Sequence, residues 1–310
     1  MSENYIYHLQ VLLKSTGWSQ QQLAKRLGVT HAALSRWING HAVPQPRRRQ
    51  AITLLYKEIV GFQPLAAAKR RELDARAQKL RISGLWKKIS KSSGLLDELL
   101  LEHTYNSNAI EGSTLSKKQT EAIIFDKAHV SNKSLTEHLE AVNHASVLRE
   151  ILLGQYPPKE VSEDLIRQLH RALLQGIRQD AGVYSKHPRA IRGIDIVLTH
   201  PKDIPEEMAG LLKRWRQTEK KPYAFGAVAQ FHADFELIHP FGDGNGRVGR
   251  LLMLIQLLRR DYPPVIVENT RKAEYYEVLE YAQRKSVEPF TVFLVDEMER
   301  THAVLRRYLR

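Results

Sequence analysis

One run of twelve residues, His239-Pro240-Phe241-Gly242-Asp243-Gly244-Asn245-Gly246-Arg247-Val248-Gly249-Arg250, constrains this chain more than any other. Gly242, Gly244 and Gly246 alternate within it, so the backbone can turn tightly and lie close to a ligand. The stretch from Arg247 to Arg260 is apolar-rich and free of proline, and reads as a helix opened by the glycine loop. A glycine turn at a helix N-terminus points unpaired N–H groups and the positive dipole end outward, which suits phosphate. Arg247 and Arg250 are three apart and rise from one side of the first turn. Asp243 offers an oxygen ligand for Mg²⁺, which one or two carboxylates and substrate phosphates usually hold. His239, just before the turn, can take a proton near neutral pH.

A plain turn between two core helices, with His239 as a buried imidazole, is the competing interpretation. It leaves unexplained why a base, a metal ligand, an anion cradle and two phosphate clamps share so few residues. The run resembles the signature of Fic-domain nucleotidyl transferases, His-Pro-Phe-x-Asp-Gly-Asn-Gly-Arg-x-x-Arg, and matches it at every fixed position. The flanks, Phe231 to Ile238 and Leu251 to Met253, are similar to that family too.

The resemblance implies an AMP transferase that uses ATP and Mg²⁺, with an all-α fold and one small β-hairpin flap. On it, Asp243 holds the metal, and the backbone N–H groups of Gly244, Asn245 and Gly246 cradle phosphates. Arg247 takes the β-phosphate and Arg250 the γ-phosphate. His239 deprotonates a Ser, Thr or Tyr hydroxyl, and Phe241 anchors the loop. The segment Ala190 to Leu198 is β-branched and glycine-centred, reads as a hairpin, and would be the flap that docks a target protein by strand addition. Its lead-in departs from the family: Ser185, Lys186 and His187 stand where an arginine is common, and Arg189 comes later.

Ser107-Asn108-Ala109-Ile110-Glu111-Gly112 lies far upstream. Ser107 and Glu111 are four apart, hence on one helix face, and Gly112 is a plausible C-cap. By itself this is an ordinary helix end before a Ser116…Gln119 capping box. Beside a Fic core it matches the family's inhibitory motif, Ser/Thr-x-x-x-Glu-Gly/Asn. The resemblance implies that Glu111 pairs with Arg250 and denies it to the γ-phosphate, with Ser107 bonded near the same place. The same glutamate could orient a water that removes AMP. Tyr275 and Tyr276 stand on an expected helix, Arg271 to Tyr281, where the family places an aromatic against adenine, with Asn269 close by. Core packing is the alternative for each tyrosine.

The first sixty residues carry a second pattern. Ser19 and Gln22 form a capping box before a helix from Gln20 to Leu27. Gly28-Val29 turns, and Thr30 caps a third helix that runs to Asn39-Gly40. This is a helix-turn-helix, and Ser19 to Gly40 resembles the phage-repressor (Cro and XRE type) DNA-binding domain. By that resemblance Thr30, His31 and Ala32 face base edges, Ser35 and Arg36 lie nearby, and Gln20 meets phosphate. Arg47, Arg48 and Arg49 add sequence-independent attraction. Such domains bind half-sites as dimers, so a homodimer is compatible with the pattern, although no coiled coil enforces one. A helical bundle for protein contact is the alternative.

Bulk properties agree. With 310 residues two domains are the natural division, and the net charge, 47 − 34 = +13, suits anionic partners. No cysteine is present, which excludes disulfides and thiolate metal sites. No apolar run approaches the roughly 18 residues that span a membrane, and no hydrophobic leader stands at the start, so a cytoplasmic protein is expected. Proline and glycine breaks give residues 1–62 as the DNA-binding domain, 63–94 as an exposed helical linker, and 95–310 as the Fic domain, with the inhibitory helix near 104–112. The expected function is protein AMPylation coupled to DNA binding. The runner-up is a transcriptional regulator whose Fic domain senses ATP.

Overall fold

Leucines at helical spacing and polar caps build the first unit. The computed structural model describes residues 4–59, 67–154, 161–189, 196–219 and 225–309, and these fall into two compact units, Met1–Ala66 and Ala67–Arg310. The first unit holds α1 (Asn4–Thr16), α2 (Gln20–Leu27), α3 (His31–Ile38) and α4 (Pro46–Ile59). The Ser19–Gln22 box starts α2, and Gly28 ends it in the left-handed region. The Thr30 hydroxyl caps α3 by accepting the Ala33 N–H at 3.2 Å. Leu9, Leu12, Leu23, Leu34 and Ile52 are fully buried. Each such side chain contributes roughly 1.5–3 kcal/mol, which is what holds four short helices together.

The second unit contains α5 (Ala67–Lys79), α6 (Leu85–Lys91), α7 (Ser93–Glu111), α8 (Lys117–Asp126), α9 (Leu135–Leu152) and α10 (Glu163–Leu173). It continues with α11 (Ile204–Glu219), α12 (Gly226–Ile238), α13 (Asn245–Leu258), α14 (Lys272–Arg284) and α15 (Glu288–Tyr308). Its axis is α13, where every residue from Arg247 to Leu258 is buried. A helix buried on every face must be enclosed by others, and α7, α10 and α12 pack around it. α12 ends at His239, and α13 begins at Asn245. The glycine loop between them therefore opens at the buried end of the central helix.

The helix boundaries expected for the motif helix and for α14 are met within a few residues. α11 has no counterpart among the sequence expectations. α5, expected as an exposed connection, is laid against α15: Arg76 bonds Asp296 and Glu299 at 2.8–3.0 Å, and Leu73 and Ala77 are buried. The expected β-hairpin needs correction. Residues 190–195 lie outside the described residues, residues 196–198 are not strand, and no strand occurs among the described residues. The fold is therefore all-α, with a helix-turn-helix unit first.

Candidate active site

The loop between α12 and α13 is pinned from inside. Asn245 accepts the Phe241 N–H at 2.9 Å through Oδ1 and donates to the Phe241 carbonyl at 2.9 Å through Nδ2. A buried asparagine that closes both bonds fixes the loop as a rigid ring. Phe241 is fully buried and stacks on His170, with ring centroids 3.7 Å apart and planes 5° apart. His170 Nε2 donates to the Asp243 carbonyl at 3.0 Å, and its Nδ1 accepts the Gly182 N–H at 2.7 Å. That pair of bonds fixes the neutral tautomer, and burial holds the ring's pKa down to about 4. Gly244 sits at φ 76°, a conformation that glycine adopts without a Cβ penalty.

Asp243 points outward, with a half-exposed side chain. Its Oδ1 accepts the Gly244 N–H at 2.6 Å. Arg247 is buried and donates through Nη1 to Glu140 Oε1 at 2.7 Å, with Asp243 Oδ1 3.5 Å from its Nη2. Glu140, on α9, was not legible as a site residue, because only the fold brings it to Arg247.

Arg250 is as enclosed as Arg247, its side chain 3 % exposed. Its Nε donates to Ser107 Oγ at 2.9 Å, and its Nη2 donates to the Ser107 carbonyl at 2.9 Å and to Glu111 Oε1 at 2.7 Å. Both polar residues of the upstream motif thus meet the last arginine of the glycine motif. Gly112 caps α7 at φ 108°, which ends the helix directly after Glu111. A Cβ on Gly246 would overlap Glu111 Oε1, so the carboxylate lies against the first turn of α13, where the helix N-terminus attracts anions.

His239 takes the left-handed conformation, φ 49°, as the C-cap of α12. This costs an L-residue about 1–2 kcal/mol. Its Nδ1 donates to the Glu236 carbonyl at 3.3 Å, which leaves Nε2 as the lone-pair nitrogen. Burial lowers its pKa to about 4, while the Glu236 carbonyl bond opposes the shift. The imidazole is therefore neutral near pH 7. Arg189, partly buried, donates to the His239 carbonyl and, at 2.6 Å, to the Thr199 carbonyl. The late arginine of the lead-in thus ties the glycine loop to residue 199.

The two tyrosines separate. Tyr275 is 1 % exposed, hydrogen-bonded to His232 Nε2 at 2.7 Å and enclosed by Phe290 and Phe293. It is a core residue. Tyr276 is partly exposed and close enough to Arg250 and Glu111 to feel both charges. Asn269 bonds Asn106 on α7 through its N–H at 2.9 Å.

In the first unit, His31, Ala32 and Arg36 are exposed on α3, opposite the buried Leu34 and Trp37. Ser35 is half-buried and accepts from Asn39 at 3.4 Å, and Gln20 is partly exposed. Thr30 is committed to the cap. No acidic residue lies between Glu3 and Glu58, a stretch that holds Lys14, Lys25, Arg26, Arg36, Arg47 to Arg49 and Lys57.

Residues 160–257 match the Fic/DOC family, and residues 9–54 match a helix-turn-helix family. The chain is 30 % identical over 264 residues to a protein adenylyltransferase Fic of Drosophila willistoni, covering 83 % of this chain and 51 % of that protein. It spans about half the length of the curated relatives it matches. Among solved structures, a Fic-domain signalling protein from Bacteroides thetaiotaomicron aligns with a TM-score of 0.63 at 25 % identity, covering 76 % of this chain and 95 % of the other. A Fic family protein from Desulfovibrio desulfuricans aligns at 0.66 and 26 %, covering 79 % and 76 %.

Burial also makes the fold pH-sensitive. His103 and His232 are held down to about 3, His170 and His239 to about 4, and His144 well below its ordinary value, in each case chiefly by desolvation. The unfolded chain protonates these rings near pH 6.5 and the folded chain does not. Their stabilisation is complete above that pH and is lost as pH falls toward 4, by up to about 1.4 kcal/mol per ring per unit. Glu236, raised to about 8 by burial, and Asp74 and Glu297, also raised by burial, act in the opposite sense, but they are three groups against five. The melting temperature should fall steadily from pH 7 to pH 5. A flat profile would mean that the rings are solvated in the folded state.

Proposed function

The chain carries a Fic/DOC-family domain behind a helix-turn-helix domain, and from that premise we propose that it is a protein adenylyltransferase held in check by its own Glu111. The observation that carries this reading is a neutral His239 beside a helix N-terminus that presents two buried arginines, Arg247 and Arg250.

ATP lies with its phosphates along the start of α13, where the N–H groups of Gly244, Asn245 and Gly246 and the guanidinium of Arg247 meet them. Arg250 receives the γ-phosphate once Glu111 has left it. Asp243 suits Mg²⁺: it is a half-exposed carboxylate, and no group of three or more potential ligands occurs among the described residues, so one carboxylate would share the ion with phosphates. When bound, the ion neutralises phosphate charge.

His239 Nε2 accepts the proton of a target Ser, Thr or Tyr hydroxyl. The hydroxyl oxygen bonds to the α-phosphorus, and the bond to pyrophosphate breaks, so pyrophosphate departs with its electron pair. Asn245, His170 and Arg189 contribute by holding the loop still, since positioning and preorganised charge supply most of such catalysis. The target docks near residues 190–198, or the chain modifies itself. Glu111 could also orient a water for the reverse removal of AMP.

With Glu111 on Arg250, the γ-phosphate has no partner and ATP takes an unproductive pose. Glu111→Gly incubated with ATP and Mg²⁺ should gain the mass of AMP in intact mass spectrometry. Wild type should gain little, and Glu111→Gly/His239→Ala nothing. If no variant gains mass although all bind ATP, the enzyme reading fails.

A second reading, a DNA-binding regulator that senses ATP, draws on the acid-free basic stretch from residue 4 to residue 57. It is compatible with the first. DNA affinity should fall linearly in log–log form with salt, and Arg47→Ala should reduce that slope by about one. Electrophoretic mobility shifts with DNA from upstream of the protein's own gene, repeated over a salt series, read both. Absence of binding at low salt would remove this reading.

A further inference from the structure

Among the side chains the proposed mechanism leaves unused, one carboxyl stands inside the site. Glu236 lies on α12, one turn before His239, and is 6 % exposed. Its Oε1 is buried and accepts no hydrogen bond among the described residues. Its Oε2 stands 3.8 Å from His239 Nδ1. A Cβ on Gly249 would come within 2.7 Å of Oε1, so the carboxyl is pressed against α13 one residue before Arg250. Arg250 Nη1 is likewise buried without a partner. Oε1 of Glu236 thus lies 2.7 Å from a Cβ on Gly249 and Nη1 of Arg250 3.0 Å from one on Gly246, positions three apart and so neighbours on one face of α13, and each atom carries a desolvation cost while unpaired.

We propose that Glu236 is a positioning residue of this site: a second carboxyl that shares Arg250 with Glu111 and sets how firmly Glu111 holds it. The proposal rests on the adenylyltransferase reading and deepens its regulation.

The groups facing Glu236 are few. α7 presents Glu111, α13 presents Arg250, α12 presents His232 and His239, and α14 presents Tyr275 and Tyr276. Of these Arg250 is the cation and Glu111 the anion. Burial raises the Glu236 pKa to about 8, Glu111 pushes it further up, and Arg250 opposes both. Glu236 therefore holds a proton near neutral pH while Glu111 is docked.

Linkage fixes the consequence. If the docked Glu111 charge raises the affinity of Glu236 for its proton, ionising Glu236 weakens Glu111 docking by the same factor. A charged Glu236 both repels Glu111 and offers Arg250 another acceptor. Autoinhibition should therefore loosen as pH rises through about 8.

The test measures the dissociation constant of ATP in Mg²⁺ buffers by calorimetry, for wild type and Glu111→Gly, from pH 7 to pH 9. The wild-type to Glu111→Gly ratio of those constants isolates the hold of Glu111, because titration of ATP and of the remaining protein groups cancels. The ratio should fall severalfold across this range, and by no more than about tenfold per pH unit, the limit for one proton. Introducing Glu236→Gln into both chains should flatten it, with folding verified by thermal melting. A ratio independent of pH overturns the proposal without any Glu236 variant, should that variant fail to fold. An unchanged slope with Glu236→Gln overturns it as well. Absence of ATP binding in Glu111→Gly would instead contradict the adenylyltransferase reading.

Discussion

The second unit depends on how the buried guanidinium of Arg250 is satisfied. A cation taken out of water is costly unless it is paired and fully bonded. Here Ser107 supplies two acceptors and Glu111 a third, all from α7. Removing one partner of a buried pair costs roughly 3–5 kcal/mol unless another anion replaces it. That cost gives the site its logic. Without Glu111, Arg250 demands an anion, and a terminal phosphate lying along α13 is the anion that the helix N-terminus already favours. On the proposed reading, Glu111 and the terminal phosphate of ATP compete for one charge.

The rest of the site keeps that competition in register. α13 is enclosed on all sides, so Arg247 and Arg250 cannot swing out to solvent. The loop before it is closed by Asn245 on Phe241, by Phe241 on His170, and by His170 on Gly182 and Asp243. His239 carries backbone strain at φ 49°, which persists because the Glu236 carbonyl and Arg189 hold it from both sides. Strain of this kind survives where the surroundings over-determine it.

What the sequence revealed was what is local. The Ser19–Gln22 and Ser116–Gln119 capping boxes, the Gly112 cap and the start of α13 each depend on residues within a turn of one another, and the helices form where those signals stand. The meeting of Glu111 and Arg250 joins positions 139 apart and was expected only through family resemblance. His170, Glu140 and Glu236 escaped notice because each acts on a partner supplied by the fold or lies unmarked beside the motif, and Arg189, marked only as a late arginine, takes its partners from the fold. Tyr275 and Tyr276 are adjacent on one helix and so point about 100° apart; one fills the core while the other borders Arg250. The order of chain letters alone could not assign which. The expected hairpin rested on β-branched residues around Gly193, and the segment that would decide it falls mainly outside the described residues.

The central claim is that Glu111 and an ATP phosphate exclude one another at Arg250. A double-mutant cycle on ATP affinity tests it, with Arg250→Lys made in wild type and in Glu111→Gly. A lysine keeps the charge and loses the forked geometry. The account predicts that the substitution weakens ATP at least tenfold in Glu111→Gly and barely changes it in wild type, where Arg250 is already taken. An equal loss in both backgrounds would mean that Glu111 and the phosphate do not share this arginine, and would contradict it.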